Sequence, residues 1–130
     1  MDNSGSITGT LFNQLKEFVE QLVHHYHISP SHTRVALIAY SAYPSLYCWF
    51  SSTKCNNLQK VKDKIKNIRY RGGWTRTDRA LTLASKVVFI PVHGDRRNVP
   101  NALVVFTDGK TSPGSKPYQV VLKPLQVFHT

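Results

Sequence analysis

Five oxygen-bearing side chains carry the chemistry that can be read in this chain. Asp2, Ser4 and Ser6 lie within the opening run Met1-Asp2-Asn3-Ser4-Gly5-Ser6, and Thr75 and Asp108 follow far downstream. A small hard cation such as Mg²⁺ takes near-octahedral oxygen donors and keeps positions for water or a ligand, which two carboxylates and three hydroxyls would supply. The expected activity is metal-dependent binding and not catalysis. Taken singly, each piece has a plainer reading. Asp2, Ser4 and Ser6 suit turns and helix caps, Thr75 suits a helix start, and Asp108-Gly109 is an ordinary turn pair after a strand.

The elements that must position these donors follow from hydrophobic spacing. Leu11, Phe12, Leu15, Phe18, Val19, Leu22, Val23 and Tyr26 recur at three- and four-residue steps and line one face of a helix that ends before Pro30. Val35-Ala36-Leu37-Ile38-Ala39-Tyr40 is a continuous apolar run of strand length, covered on both faces. Leu46 to Phe50 is an aromatic-rich strand reached through the short connection from Ser41 to Ser45, which makes it an antiparallel neighbour at a sheet edge. Leu58, Val61, Ile65 and Ile68 then mark a second helix, with Lys60, Lys62, Lys64 and Lys66 falling largely on its solvated faces. Gly72 and Gly73 permit backbone conformations closed to other residues. Thr77 and Asp78 offer cap and first-turn chemistry for a third helix through Val88, which starts beside Thr75. Ala102 to Phe106 is a buried strand with Thr107-Asp108-Gly109 at its carboxyl end, Pro117 is a helix start, and Val127-Phe128 begins a further strand. Strands alternating with helices imply an α/β layered fold with a mostly parallel central sheet flanked by helices. Ligands in such sheets bind outside the carboxyl ends of strands, where Asp108 stands.

Together the pieces resemble the von Willebrand factor type A domain, a Rossmann-like fold whose metal-ion-dependent adhesion site combines a D-x-S-x-S motif, a distant Thr and an Asp after a buried strand. Asp2, Ser4 and Ser6 fit the first motif, Thr75 fits within Gly72-Gly73-Trp74-Thr75-Arg76-Thr77 followed by Ala80-Leu81, and Asp108 fits Thr107-Asp108-Gly109. The order of motifs and elements agrees from Asp2 to about Val127. The resemblance implies that Ser4, Ser6 and Thr75 present hydroxyl oxygens to Mg²⁺ (or Mn²⁺ or Ca²⁺), with Asp2 and Asp108 binding directly or through water. An open position would then accept a Glu or Asp of a protein ligand such as a collagen or another matrix protein. It also implies an extracellular, secreted setting. Trp74, Arg76 and Arg79 flank the metal loop as a partner-binding rim, although Trp74 could equally pack down into the domain and the arginines could be a solvated edge.

The chain departs from the family pattern at both ends. Only Met1 precedes Asp2 where the family has an apolar central strand, so Asp2 is expected on a fraying terminus beside a charged α-amino group, in a sheet without its middle member. Gln126 stands where the family turns with Gly, and the chain stops as its next strand begins. The expectation is one partial domain over residues 1–130 that lacks the family's first and last elements, with marginal stability or a tendency to aggregate.

Composition frames these readings. A chain of 130 residues with 41% hydrophobic content fits one core and not two. Seventeen Lys and Arg against seven Asp and Glu give a net charge of +10, which attracts polyanions. The rival reading is therefore a basic module for sulfated, heparin-like glycans in which the metal site is vestigial. No nucleic-acid-binding motif is visible, so glycans outrank DNA. An enzyme is disfavoured because the chain has no Gly-x-Ser-x-Gly turn, no phosphate-cradling glycine loop and no HExxH helix. His24, His25 and His27 form a polar helix end or, less simply, part of a zinc site that lacks further ligands at structural spacing. Cys48 and Cys55 either form one local bridge or remain two thiols. No run is apolar enough to span a bilayer, no apolar signal core opens the chain, and no Asn-x-Ser/Thr acceptor occurs.

Overall fold

A computed structural model describes residues 1–108, 110–115 and 127–129 of the chain. Helix α1 spans Gly9–His24 and opens on Thr8, whose hydroxyl accepts from the Leu11 N–H at 3.2 Å. Strands β1 (Leu37–Tyr40) and β2 (Pro44–Cys48) form an antiparallel hairpin, as the short connection predicts. Helix α2 (Leu58–Lys66) is capped by Asn57, whose side chain accepts from the Lys60 N–H at 2.9 Å. Helix α3 (Thr77–Leu83) continues into a widened π-type turn over Ala84–Val88, closed by the Phe89 N–H to Ala84 C=O bond at 2.9 Å. Strand β3 (Leu103–Val105) pairs in parallel with β4 (Val127–His129). The helix start expected at Pro117 lies outside the described residues.

Two-residue alternation along β1 sorts its side chains between two helical layers. Leu37 and Ala39 join the core that α1 and α2 build from Phe12, Val19, Val61 and Ile65, whereas Tyr40 meets the Thr77 hydroxyl of α3 at 3.1 Å. Helices therefore cover both faces of an α/β sheet, which is why the apolar run there is unbroken. Tyr26 lies beyond the end of α1, and Leu11 and Phe18 are corrections to the predicted helix face. They stay about half exposed because the face that meets α2 and the sheet is narrower than the apolar stripe, although Phe18 still packs edge-on to Phe106 at 5.9 Å.

The amino-terminal residues link the two halves of the sheet. Met1 donates from its α-amino group to Ile38 C=O at 2.7 Å, and the Asp2 N–H reaches Phe106 C=O at 2.9 Å. The Asn3 N–H donates to Tyr40 C=O, and the Tyr40 N–H to Met1 C=O, both at 2.9 Å, with Asp2 bridging Tyr40 in parallel. Residues 1–3 thus lie between two two-stranded sheets, antiparallel β1–β2 and parallel β3–β4, bridged in parallel to Tyr40 and joined to Phe106 by one hydrogen bond. The frayed terminus expected from the sequence is not found. Met1, Asp2, Asn3 and Ser4 are all buried, because the segment is bonded on both edges at once.

Candidate metal centre

The first loop leaves the sheet after Asn3 and turns immediately against the Gly72-Gly73 loop. Arg71 and Gly72 N–H groups both donate to Asn3 C=O, at 3.3 and 2.9 Å, and Gly5 N–H donates to Gly73 C=O at 2.8 Å. Gly72 and Gly73 have φ of 71° and 81°, and a Cβ on Gly5 would stand 3.1 Å from the Gly73 carbonyl oxygen. This close approach of two backbones requires the glycines and carries Thr75 to the serines.

At the meeting point the three hydroxyls form a triangle. Ser4 Oγ lies 2.9 Å from Ser6 Oγ, Ser6 Oγ lies 3.1 Å from Thr75 Oγ1, and Thr75 Oγ1 donates to Ser4 Oγ at 2.6 Å. Carboxylates flank it on two sides. Ser4 donates from its hydroxyl to Asp2 Oδ1 at 2.6 Å and from its N–H at 2.9 Å, and Ser6 Oγ donates to Asp108 Oδ1 at 3.4 Å. Asp2, Ser4 and Thr75 are buried, Ser6 is half-buried and Asp108 is exposed, so the cluster opens to solvent on the Asp108 side. All five residues singled out for metal chemistry are brought together at the carboxyl ends of β1 and β3.

The charges around Asp2 differ from expectation. Burial pushes the Met1 α-amino group down from 8.0 to about 5 against the opposing pull of Asp2, so at neutral pH it is uncharged and does not offset that carboxylate. Asp2 is held instead by neutral donors, the two from Ser4 and the Thr107 hydroxyl at 2.7 Å on Oδ2.

Two supporting hydroxyls escaped the sequence reading. Thr107 belongs to the quoted Thr107-Asp108-Gly109 run but had no role there. Ser112 accepts from the Thr75 N–H at 2.8 Å and returns its own N–H to Thr75 C=O at 3.0 Å. Neither lies at a diagnostic spacing; the rule that buried polar groups find partners is the one signal that could have found them. The rim also needs revision. Trp74 is 60% exposed, as a partner-facing residue would be. Arg76 forms a two-pronged pair with Asp78 at 2.9 and 2.8 Å, which raises its pKa chiefly through that hydrogen bond and ties its charge to the helix start. Arg79 donates to Ala42 C=O at 2.8 Å and lies 4.5 Å over the ring of Tyr43, an aromatic that is 69% exposed and was not anticipated.

Away from this centre, Cys48 and Cys55 are joined in a disulfide. The three neighbouring histidines do not converge: His24 Nδ1 sits 3.0 Å from Lys62 Nζ, and His27 stacks on His32 at 3.9 Å. Among the described residues no three His, Cys, Asp or Glu side chains cluster, and the hydroxyl-rich centre has only two carboxylates.

The family model for the von Willebrand factor type A domain matches residues 1–127. The chain belongs to the von Willebrand factor type A family. Among its curated relatives, von Willebrand factor A domain-containing protein 1 of Rattus norvegicus is 32% identical over 127 residues, which is 98% of this chain and 30% of that protein. The collagen alpha-4(VI) chain of Mus musculus is 31% identical over 112 residues, 86% of this chain and 5% of that one. The chain thus spans under a third of the length of these relatives. Among solved structures, proximal thread matrix protein 1 from the mussel byssus, with a zinc-occupied MIDAS motif, matches with a TM-score of 0.84 at 18% identity over 99% of this chain and 35% of that chain. Manganese-loaded Plasmodium vivax TRAP protein matches with a TM-score of 0.75 at 17% identity over 85% of this chain and 44% of that one. These likenesses establish a von Willebrand factor type A fold for the present chain, and relatives include matrix proteins.

Proposed function

We propose that this chain is a divalent-metal-dependent adhesion module of the extracellular matrix, one von Willebrand factor type A domain over residues 1–130 with no catalytic role. Ser4, Ser6 and Thr75 hold the ion through hydroxyl oxygens, with Asp2 and Asp108 binding directly or through water. The bound ion offers a Lewis-acidic position to a Glu or Asp of the partner protein.

One observation carries this reading, the hydroxyl triangle with sides of 2.9, 3.1 and 2.6 Å. The three hydroxyls are thus close enough together for one small hard cation such as Mg²⁺, Mn²⁺ or Ca²⁺ to touch all of them. Two carboxylates only balance a divalent charge and the hydroxyls add none, so the ion keeps affinity for an acidic visitor. Matrix proteins among the relatives and a disulfide suited to oxidising compartments support the extracellular assignment. No helix of the described residues is long and apolar enough to cross a membrane.

The deciding experiment measures binding to immobilised collagen with Mg²⁺, with chelator and with Asp108→Ala. Loss of binding in both of the latter is expected. Binding that ignores both but falls steeply with salt would replace this reading with the heparin-like glycan one.

A further inference from the structure

Positive charge is concentrated in one stretch of the chain. Residues 54–71 hold seven Lys and Arg against the single acid Asp63. Helix α2 sorts its four lysines by phase, because Val61 and Ile65 are fully buried and fix the inward face. Lys62 and Lys66 fall on the flank toward α1. There Lys62 lines one hollow with Glu17 and Glu20 and places its Nζ 3.0 Å from His24 Nδ1, and Lys16 of α1 donates to Lys66 C=O at 3.0 Å. Lys60 and Lys64 fall on the opposite flank, about 6 Å apart along the helix axis. Lys60 Nζ donates to Thr53 C=O at 3.0 Å, which brings it beside Lys54. No carboxylate balances this row. Asp63, the one acid on α2, accepts from Gln59 Nε2 at 2.9 Å, and the chain's other acids lie on α1, in the metal centre, or in and after α3. Among the described residues none of the three lysines forms an ion pair.

We propose that Lys54, Lys60 and Lys64 form a second binding site, for a linear sulfated glycan, separate from the metal centre and independent of it. Three observations choose this occupant. The row is preorganised: Asn57 caps the helix, Val61 and Ile65 anchor it, and the bridge between Cys48 and Cys55 holds the turn that carries Lys54, so ordering the site on binding costs little. None of the exposed large apolar or aromatic side chains falls between residues 50 and 69, so the row offers no ring for base stacking and nothing to insert into a bilayer. Recognition then rests on charge alone, which suits a chain of sulfates. The disulfide suits an oxidising compartment, where sulfated glycans and not nucleic acids are the abundant linear polyanions.

The test titrates a size-defined, fully sulfated heparin octasaccharide into the isotopically labelled chain, with chelator present throughout. Saturable binding is expected, with a log–log salt slope of about −2 to −3 from the counterions that three lysines release. Lysine side-chain signals should shift at Lys54, Lys60 and Lys64 and stay in place at Lys62 and Lys66. Lys60→Gln with Lys64→Gln is expected to weaken binding at least about tenfold. Lys62→Gln with Lys66→Gln removes the same charge from the same helix and should weaken it less than about threefold. The shift map needs no variant, so it decides the matter even where a substitution disturbs folding. Equal losses from the two pairs would mean that net charge alone attracts the glycan, and would overturn the site. Shifts centred elsewhere, equal binding of the desulfated octasaccharide, equally tight binding of duplex DNA, or no binding at all would overturn it too.

Discussion

Thr75 Oγ1 donates to Ser4 Oγ at 2.6 Å across 71 residues of chain, in a buried contact that joins the second loop of the centre to the first. The bond orients two hydroxyls whose oxygens a metal would share. Thr75→Val keeps the shape and removes the oxygen. It is expected to cost about 1 kcal/mol of stability, the net worth of one buried hydrogen bond, and to weaken Mn²⁺ binding at least about tenfold. Urea unfolding and isothermal titration with Mn²⁺ separate the two effects; unchanged affinity would remove Thr75 from the ligand set.

The two carboxylates should behave differently on substitution. Asp2 is fully buried and accepts from Ser4 N–H, Ser4 Oγ and Thr107 Oγ1, so Asp2→Ala strands several donors and is expected to cost about 2–4 kcal/mol even without metal. Asp108 is exposed, and Asp108→Ala should leave stability within about 0.5 kcal/mol while abolishing measurable metal binding. Chemical denaturation of both variants in chelator checks the contrast, and equal destabilisation would contradict it.

How far these relations were legible varies with the kind of signal. Residues 9–24 and 58–66 announce themselves by helical spacing, and the hairpin by its short turn, because burial of one face imposes the pattern directly. Exposure of Leu11 and Phe18 was not legible, since spacing marks every apolar residue near the stripe and the width of the contact depends on what packs there. The five proposed ligands were legible only as a constellation. Thr107 and Ser112 stayed hidden because a loop hydroxyl carries no periodicity and its partner is fixed by tertiary approach alone. Arg76 looked like a free cation because its pairing with Asp78 depends on a backbone turn at the helix start that the sequence does not specify.

Metal should also act as a folding ligand. Residues 1–6, 75 and 108 converge only in the native state, so binding there stabilises that state by mass action. At an ion concentration a hundredfold above its dissociation constant, unfolding is expected to cost about 2.7 kcal/mol more than in chelator. Mg²⁺ and Mn²⁺ should both shift the urea midpoint and Asp108→Ala should cancel the shift; a shift of equal size in that variant would locate the ion elsewhere.

The bridge between Cys48 and Cys55 ties the end of β2 to the turn before α2, and both residues are buried. Its sequence separation is 7, and a ring that small restricts the unfolded chain by about 2.5 kcal/mol at 25 °C on the chain-entropy account. Replacing both cysteines by alanine should lower stability by about that amount and leave the metal affinity of the folded fraction unchanged, since the bridge makes no contact with the centre. Reduction of the native protein should do the same, read by the urea midpoint with and without reductant.

Gly94 offers a test of the fold alone. Its φ is +95°, and a Cβ added there would meet the Ser51 backbone nitrogen at 2.5 Å and the Ser51 Cβ at 2.8 Å. Arg34 also donates to its carbonyl at 2.9 Å, so the residue clamps the loop after α3 to the segment after β2 and to the approach to β1. Gly94→Ala must either strain the backbone or part that clamp, at an expected cost of at least about 2 kcal/mol. Gly9 has open space around the same position, so Gly9→Ala should instead be neutral or gain about 0.5–1 kcal/mol from helix propensity. Paired urea midpoints for the two variants decide the matter. Equal midpoints would mean that the packing of residue 94 against Ser51 is not maintained in solution.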